Sequence, residues 1–138
     1  GRGVDYCAAM EGALKLKEVS YTHCEAYAAG ELKHGTISLI EDGRPVIALM
    51  TDPLISEKTV SNIKEVKSRG AYLTLITAEG VAYPKDAADS VFTLPAVTPL
   101  FSPLLSAAAV QLLAYYLSLH LGVDVDKPRN LAKSVTVE

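Results

Sequence analysis

The chain has 138 residues, of which 49% are hydrophobic and 21% are charged, and its formal net charge is −3 at pH 7. This length predicts one globular domain with a buried core, and the composition argues against disorder. The slightly acidic balance makes nucleic acid a poor candidate partner, because such partners select clustered positive charge. Two cysteines are too few for a disulfide framework, so we expect reduced thiols and a cytoplasmic protein.

A long helix is predicted for the first third of the chain, from about residue 8 to residue 29. On a helical wheel Glu11, Lys15 and Glu18 share one face, because they are spaced i, i+4 and i+7. Apolar side chains flank this charged face on both sides: Met10, Ala13, Leu14 and Tyr21 on one, Leu16 and Val19 on the other. The pattern alone leaves two interpretations open. The face could carry solvated ion pairs, or it could hold a carboxylate and an ammonium group at a pocket wall for proton transfer.

Three histidines are the other candidate acid or base groups. His34 lies in a glycine-flanked loop, where functional residues often occur, although a lone loop histidine is also an ordinary surface residue. His23, near an apolar flank of the predicted helix, is expected to be structural, and His120 suits the end of a helix. Because the histidines are scattered, with no cysteine or carboxylate at ligand spacing, we expect no metal site and no cofactor.

The middle of the chain predicts a strand–helix–strand unit. The apolar runs 45–50 and 71–77 are typical of strands buried on both faces of a parallel sheet. Between them Ser56 is predicted to be the N-cap of a helix, and residues 90–94 form a weaker strand. This order predicts an α/β fold with helices on both faces of the sheet. Residues 1–3 resemble the loop after a strand, so we expect the first strand of the fold upstream.

The stretch 90–123 contains no charged residue, and a helix is predicted there from about Pro103 to Leu121. Its apolar part barely reaches the length that spans a membrane and carries several polar side chains. Burial against the sheet or a second subunit is therefore the preferred interpretation.

The last residues, 126–138, show no clean periodicity and are predicted to be a tail. By composition alone, Arg129 and Lys133 could be ordinary solubilising charges. If the tail were ordered over a pocket, Lys133 could attack a carbonyl as an amine nucleophile. That chemistry needs the neutral amine, and the sequence does not show what would lower its pKa.

Three segments carry a specific resemblance: EGALKLKE at 11–18, EAYAAGELKHG at 25–35 and DKPRNLAKSVTVE at 126–138. Together they resemble the C-terminal isomerase half of the glucosamine-6-phosphate synthases, in order and in separation. The resemblance covers essentially the whole chain, and the closing run is its most diagnostic part. It implies a three-layer α/β/α SIS-type (sugar isomerase) domain over residues 1–125, the second of its kind in such enzymes, followed by a catalytic tail at 126–138.

The resemblance also implies roles for individual residues. Glu18 matches the general base that moves a proton between carbons 1 and 2 of the sugar, and Lys15 matches a lysine that assists it. His34 matches the histidine that opens the sugar ring and is donated by the neighbouring subunit. Lys133 matches the lysine that forms a Schiff base with the open-chain ketose. Two further tail positions are implied to lie near the sugar and the interdomain junction: Arg129 and Ala132.

The implied reaction converts fructose-6-phosphate and glutamine-derived ammonia into glucosamine-6-phosphate, by a homodimer that needs neither nucleic acid nor membrane. The phosphate-binding loop and the glutaminase site are expected in preceding domains, so this chain alone is not expected to complete the reaction. Two alternatives remain open: a phosphosugar-binding SIS module without chemistry, and a deglycase or deaminase acting on fructosamine-type phosphates. The tail favours the synthase, and a glutaminase domain encoded upstream would decide the question.

Overall fold

The computed structural model describes residues 1–129 and Leu131. The first elements are α1 (Val4–Lys15), continued by a π-helical turn (Leu16–Ser20), and two 3-10 turns (Ala29–His34 and Thr36–Leu39). They are followed by β1 (Pro45–Met50), α2 (Ser56–Lys67), β2 (Tyr72–Ala78), β3 (Ser90–Leu94), a 3-10 turn (Pro99–Phe101) and α3 (Ser102–His120).

The three strands form a parallel sheet in the order β1-β2-β3. Pro45 lies opposite Tyr72, and Thr74 lies opposite Ser90. The bounds of β1 and β3 agree with the sequence prediction, and β2 lies one residue later than predicted. The predicted strand–helix–strand unit is therefore confirmed.

Alternating strand residues feed two separate cores, because successive side chains of a strand point to opposite faces. On one face α2 covers the sheet, and the buried side chains there include Met50, Ile63, Val66, Leu73 and Leu75. On the other face α1 and α3 cover it, and the buried side chains include Ala8, Leu49, Ile76, Leu94 and Val110. The predicted three-layer α/β/α architecture is thus confirmed.

Within the described residues β1 has one strand neighbour, β2, and its other edge is free. A cavity of about 860 Å³ borders this edge and reaches α1, α2 and α3. Its lining is largely aliphatic, and neither Lys15 nor Glu18 belongs to it. A further strand could pair with this free edge and pack its side chains against the apolar lining. The first strand expected upstream stays a prediction.

The predicted first helix is wrong at both ends, because the helix begins at Val4 instead of near residue 8 and does not reach residue 29. Helical structure stops at Ser20, and Tyr21 adopts the left-handed conformation with φ 58° and ψ 16°. The Ser20 hydroxyl donates to the Leu16 carbonyl at 2.6 Å, and Ser20 Oγ also bonds Thr22 Oγ1 at 3.0 Å. Such local side-chain bonds compete with further helix, so residues 21–28 are irregular.

The start of α2 also differs from the prediction. Ile55 occupies the N-cap position, and Ser56 is the first helical residue. The Ser56 hydroxyl donates to the Pro53 carbonyl at 2.9 Å instead of capping a free backbone amide of the helix. The helix is therefore one residue out of register with the capping pattern that the sequence suggested.

One side of α3 is buried and the other is exposed. Val110 and Ala114 are buried, whereas Leu104 and Tyr116 are 67% and 63% exposed. Among the described residues, the segment Pro99–His120 is long and apolar enough to span a membrane by length and composition. Core helices of other proteins share these properties, and here packing against α1 and the sheet accounts for one face.

Gly12 sets the distance between α1 and α3. A Cβ added there would lie 2.9 Å from Val110 Cβ and 3.2 Å from both Val110 methyl groups. We expect Gly12→Ala to destabilise the chain by about 1 kcal/mol, since overpacking costs about 1–3 kcal/mol and the helix preference for alanine returns part of it. Urea unfolding measures the loss. Val110→Ala in the Gly12→Ala background should cost less than in the wild type, and equal costs would contradict the close contact.

Asp89 joins the end of α2 to β2. Its carboxylate accepts hydrogen bonds from Lys67 Nζ at 2.6 and 2.7 Å and from the Leu73 amide at 2.6 Å. The Lys67 hydrogen bond, followed by the Leu73 amide, holds the pKa of Asp89 below its ordinary value.

A lowered native-state pKa means that the Asp89 carboxylate adds stability above its unfolded pKa, and that this stability is lost as the pH falls through the folded pKa. We therefore expect Asp89→Asn to lower the urea midpoint at pH 7. The difference from wild type should vanish in strongly acidic buffer. A difference that stays constant with pH would show that the carboxylate charge is not its cause.

Candidate functional site

Three charged side chains lie together at the C-terminal end of α1. Lys15 Nζ donates to Glu18 Oε2 at 2.6 Å and lies 3.8 Å from Glu11 Oε1. These side chains are 30%, 26% and 34% exposed, so water reaches the cluster while the protein still fixes its geometry. Glu18 belongs to the π-helical turn, a rare element that is frequent at functional sites.

The position of the cluster follows from the packing of α1. The helix buries Ala8, Gly12, Ala13 and Leu16, whereas Met10 and Leu14 are each 44% exposed. The charged face is therefore bounded by the buried core on one side. On the other expected flank Met10 and Leu14 are exposed, although Ala13 is buried.

Lys15 is the cation of the cluster. Its hydrogen bond to Glu18, with further attraction from both glutamates, raises the pKa of Lys15 above its ordinary value. The ammonium group is thus charged at neutral pH, and it holds the Glu18 carboxylate in one orientation. A carboxylate oriented in this way can act as a general base towards a substrate proton.

The C-terminal tail reaches the same end of α1. The Arg129 amide donates to the Tyr21 hydroxyl at 2.8 Å, and the guanidinium carbon of Arg129 lies 4.2 Å from the centre of the Tyr21 ring. A cation over an aromatic face contributes about 0.5–1 kcal/mol at exposed sites. The left-handed backbone of Tyr21 opposes this with about 1–2 kcal/mol of steric cost.

His34 lies away from this cluster in the described chain. It ends a 3-10 turn, its side chain is 64% exposed, and its Nε2 is 3.8 Å from Glu31 Oε2. Neither Lys15 nor Glu18 is among its polar contacts in the part of the chain that the structure describes.

The structure thus brings Lys15 and Glu18 together and places Arg129 on the Tyr21 ring, while His34 stands apart. Ala132 and Lys133 lie outside the described residues. The roles predicted for all these residues stay predictions.

His23 corrects the sequence interpretation. Its side chain is 84% exposed and lies 3.8 Å from Glu25, so it is not a buried structural histidine. The early end of the helix at Ser20 explains this, because His23 no longer continues the helical face. Within residues 1–129 and 131, no group of three His, Cys, Asp or Glu side chains could hold a metal ion.

Tyr21 is the residue near the site that sequence reasoning missed. On the helical wheel it counts as an apolar flank residue, and nothing in the sequence predicts a left-handed tyrosine or its contact with a residue 108 positions away. The early helix end, which changes its neighbours, could have been suspected only from the Ser20 and Thr22 hydroxyls.

A parallel sheet between two helical layers defines the class of three-layer α/β/α domains. The sequence pattern of the SIS domain matches residues 1–121. The chain belongs to the SIS domain family.

The similar proteins are more specific. The chain is 62% identical, over all 138 residues, to a glutamine–fructose-6-phosphate aminotransferase (isomerizing) of Clostridium acetobutylicum, and it spans 23% of that protein. Its fold matches the C-terminal domain of the glucosamine-fructose-6-phosphate aminotransferase of Francisella tularensis with a TM-score of 0.87 and 40% identity, covering 92% of this chain and 36% of that one.

A glucosamine-6-phosphate deaminase from Thermotoga maritima is also similar in structure. It matches with a TM-score of 0.70 and 27% identity, over 94% of this chain and 37% of that one. The chain spans less than a quarter of the Clostridium acetobutylicum aminotransferase.

Proposed function

We propose that this chain is the second SIS domain of an isomerising glutamine–fructose-6-phosphate aminotransferase and carries its sugar chemistry. The observation that carries the proposal is the 2.6 Å hydrogen bond between Lys15 Nζ and Glu18 Oε2, which orients a carboxylate at the end of α1. The 62% identity to such an enzyme over the whole chain, tail included, supports it. The product in this proposal is an amino sugar, so we propose a role in amino-sugar synthesis.

In this proposal His34 opens the ring of fructose-6-phosphate. The amine of Lys133 then attacks the C2 carbonyl and expels water, which gives an iminium ion. Ammonia replaces Lys133 at C2 and regenerates the free amine. The iminium or imine at C2 acidifies the C1–H bond, which is what a base of modest strength requires.

Glu18 then takes a proton from C1, and an enolamine forms between C1 and C2. The protonated Glu18 returns the proton to C2, while the C1 hydroxyl loses its proton and becomes the aldehyde. One base suffices because C1 and C2 are adjacent. The sum is fructose-6-phosphate plus ammonia giving glucosamine-6-phosphate plus water. Lys15 stays protonated and keeps the carboxylate aimed at the sugar.

The complete polypeptide that carries this domain tests the proposal. We expect glucosamine-6-phosphate from fructose-6-phosphate and glutamine. Binding of the sugar phosphate without product would indicate a sensing module. Ammonia release from glucosamine-6-phosphate, with no use of glutamine, would indicate a deaminase, the function named for the Thermotoga maritima neighbour.

We further propose a cytoplasmic homodimer in which His34 completes the site of the partner subunit. Two observations support this: His34 is 64% exposed and has no polar contact with Lys15 or Glu18 among the described residues, and α3 leaves an apolar face open. The rest of the polypeptide and the second subunit are the partners proposed for such surfaces, since large exposed apolar patches mark interfaces.

Subunit mixing tests donation of His34 across the dimer. His34→Ala and Glu18→Gln are each expected to be nearly inactive as homodimers. Random exchange of subunits yields half heterodimers with one intact site each, so about a quarter of wild-type activity should return. Mixtures that remain inactive although mass spectrometry shows exchanged subunits would place His34 and Glu18 in the same subunit's site.

A further inference from the structure

Tyr21 is the non-glycine residue with a positive φ angle among the described residues. Side chains disfavour this conformation, which persists only where surrounding contacts fix it, and such residues cluster at functional sites. Here the fixed position lies directly after the π-helical turn that carries Glu18, three residues earlier in the chain.

The hydrogen bond and the cation–π contact of the Tyr21 side chain are both with the C-terminal tail. Its hydroxyl accepts the Arg129 amide at 2.8 Å, and its ring lies under the Arg129 guanidinium at 4.2 Å. One residue of the tail therefore uses both the polar end and the aromatic face of Tyr21. In the described chain these contacts join the tail to the end of α1.

The Tyr21 contact limits where the tail lysine can be. Lys133 follows Arg129 by four residues, and four residues span at most about 14 Å when fully extended. With Arg129 held on Tyr21, the length of the chain alone limits how far Lys133 can be from the residue that follows the Glu18 turn. Without that anchor the tail has no described attachment near the base.

We propose that Tyr21 is a positioning residue that anchors the C-terminal tail beside the catalytic base, so that the Lys133 amine and the Glu18 carboxylate act on the same sugar. This inference rests on the proposed function. Tyr21 itself does not touch the reacting atoms in this scheme. Its effect reaches the chemistry through Arg129 and the tail.

The variant Tyr21→Gly removes the proposed anchor without adding backbone strain to the fold. Tyr21→Gly removes both tail contacts and also relieves the left-handed backbone, because glycine adopts it without steric cost. Tyr21→Phe keeps the ring under Arg129 and loses the hydroxyl. Tyr27→Phe is the matched control, since Tyr27 belongs to the same irregular segment and hydrogen-bonds Glu25 instead of the tail.

The first readout is tail attachment in the complete polypeptide. Trypsin cleaves after Arg129 but not between Lys127 and Pro128, so cleavage of the Arg129–Asn130 bond reports release of the anchor. We expect at least about tenfold faster cleavage in Tyr21→Gly than in wild type, and no change in Tyr27→Phe. The melting temperature of Tyr21→Gly should stay within a few degrees of wild type.

The second readout is covalent capture of the sugar. With fructose-6-phosphate bound, borohydride reduces the iminium ion at C2 to a stable secondary amine on Lys133, which peptide mass spectrometry detects. We expect about 10–100-fold slower capture in Tyr21→Gly, because misplacing a reacting group by about 1 Å can cost that much, and a smaller loss in Tyr21→Phe. Arg129→Ala should add little to Tyr21→Gly, since both remove the same contact.

The outcomes separate the inference from its premise. Equal capture and equal tail cleavage in wild type and Tyr21→Gly would overturn the positioning role and leave the proposed function standing. No capture on Lys133 in the wild type would overturn both. Faster tail cleavage with slower capture, in a variant that melts like wild type, would establish Tyr21 as the anchor.

Discussion

Glu18→Gln is expected to lower kcat for glucosamine-6-phosphate formation by about 10²–10⁴-fold, the range typical for loss of a general base. Glutamine keeps the size of the side chain and can still bond Lys15, but its amide cannot take the C1 proton. KM for fructose-6-phosphate should change little, because the lost interaction belongs to the transition state. Steady-state kinetics of the complete polypeptide measures both constants.

Glu11→Gln is the matched control for this prediction. Glu11 shares the helix face, lies 3.8 Å from Lys15 and is similarly exposed, but it lies about two helical turns before Glu18. It should lose less than about threefold in kcat, as expected for one partner of an exposed ion pair. A loss as large as that of Glu18→Gln would mean that the charge of the whole face matters, not one base.

The sheet was predictable mainly from β1 and β2, which are short apolar runs with buried residues on both faces. Such runs are typical of a parallel sheet, whereas β3, which contains Ser90 and Thr93 and is largely exposed, carries the weaker signal. The helix α3 was predictable because its apolar run contains no Asp, Glu, Lys or Arg and ends before a glycine. These elements are determined by local composition, so their bounds follow from the sequence to within one residue.

The end of the first helix was not predictable from periodicity. Residues 21–28 continue an apolar and polar pattern that a helix tolerates, and the helix is ended by hydroxyl bonds of Ser20 and by the tail contact of Tyr21. The Ser20 bonds are local and change no hydrophobic periodicity, whereas the Tyr21 contact depends on a residue 108 positions away. The misplaced N-cap at Ser56 has a local cause, because the Ser56 hydroxyl donates to the Pro53 carbonyl three residues earlier.

The candidate site also has a part that the sequence predicts and a part that it does not. The pair Lys15 and Glu18 follows from helical spacing, since one turn brings positions i and i+3 together. The resemblance of the tail points to Lys133, but hydrophobic periodicity does not predict which part of the domain the tail contacts. The contact between Arg129 and Tyr21 supplies that link in three dimensions, and helical spacing could not have revealed it.

Lys133→Arg is expected to abolish borohydride capture and to lower the rate of product formation by more than about 10²-fold, because the held amine and its covalent route to the open-chain sugar are lost. Arginine keeps the positive charge and the length of the side chain, yet its guanidinium stays protonated and does not form a Schiff base. A purely electrostatic role would therefore survive this change. Lys133→Ala should be at least as inactive.

Lys127→Ala controls for a general effect of charge in the tail, since Lys127 is an exposed lysine two residues before Arg129. It should retain capture and most activity. If Lys133→Arg kept more than about half of the wild-type rate, charge alone would explain the lysine, and the reaction would have to proceed by direct attack of ammonia on the ketose carbonyl. Glu18 would then still be required. Comparing the rates of Glu18→Gln and Lys133→Arg in the same assay therefore distinguishes proton transfer from covalent catalysis.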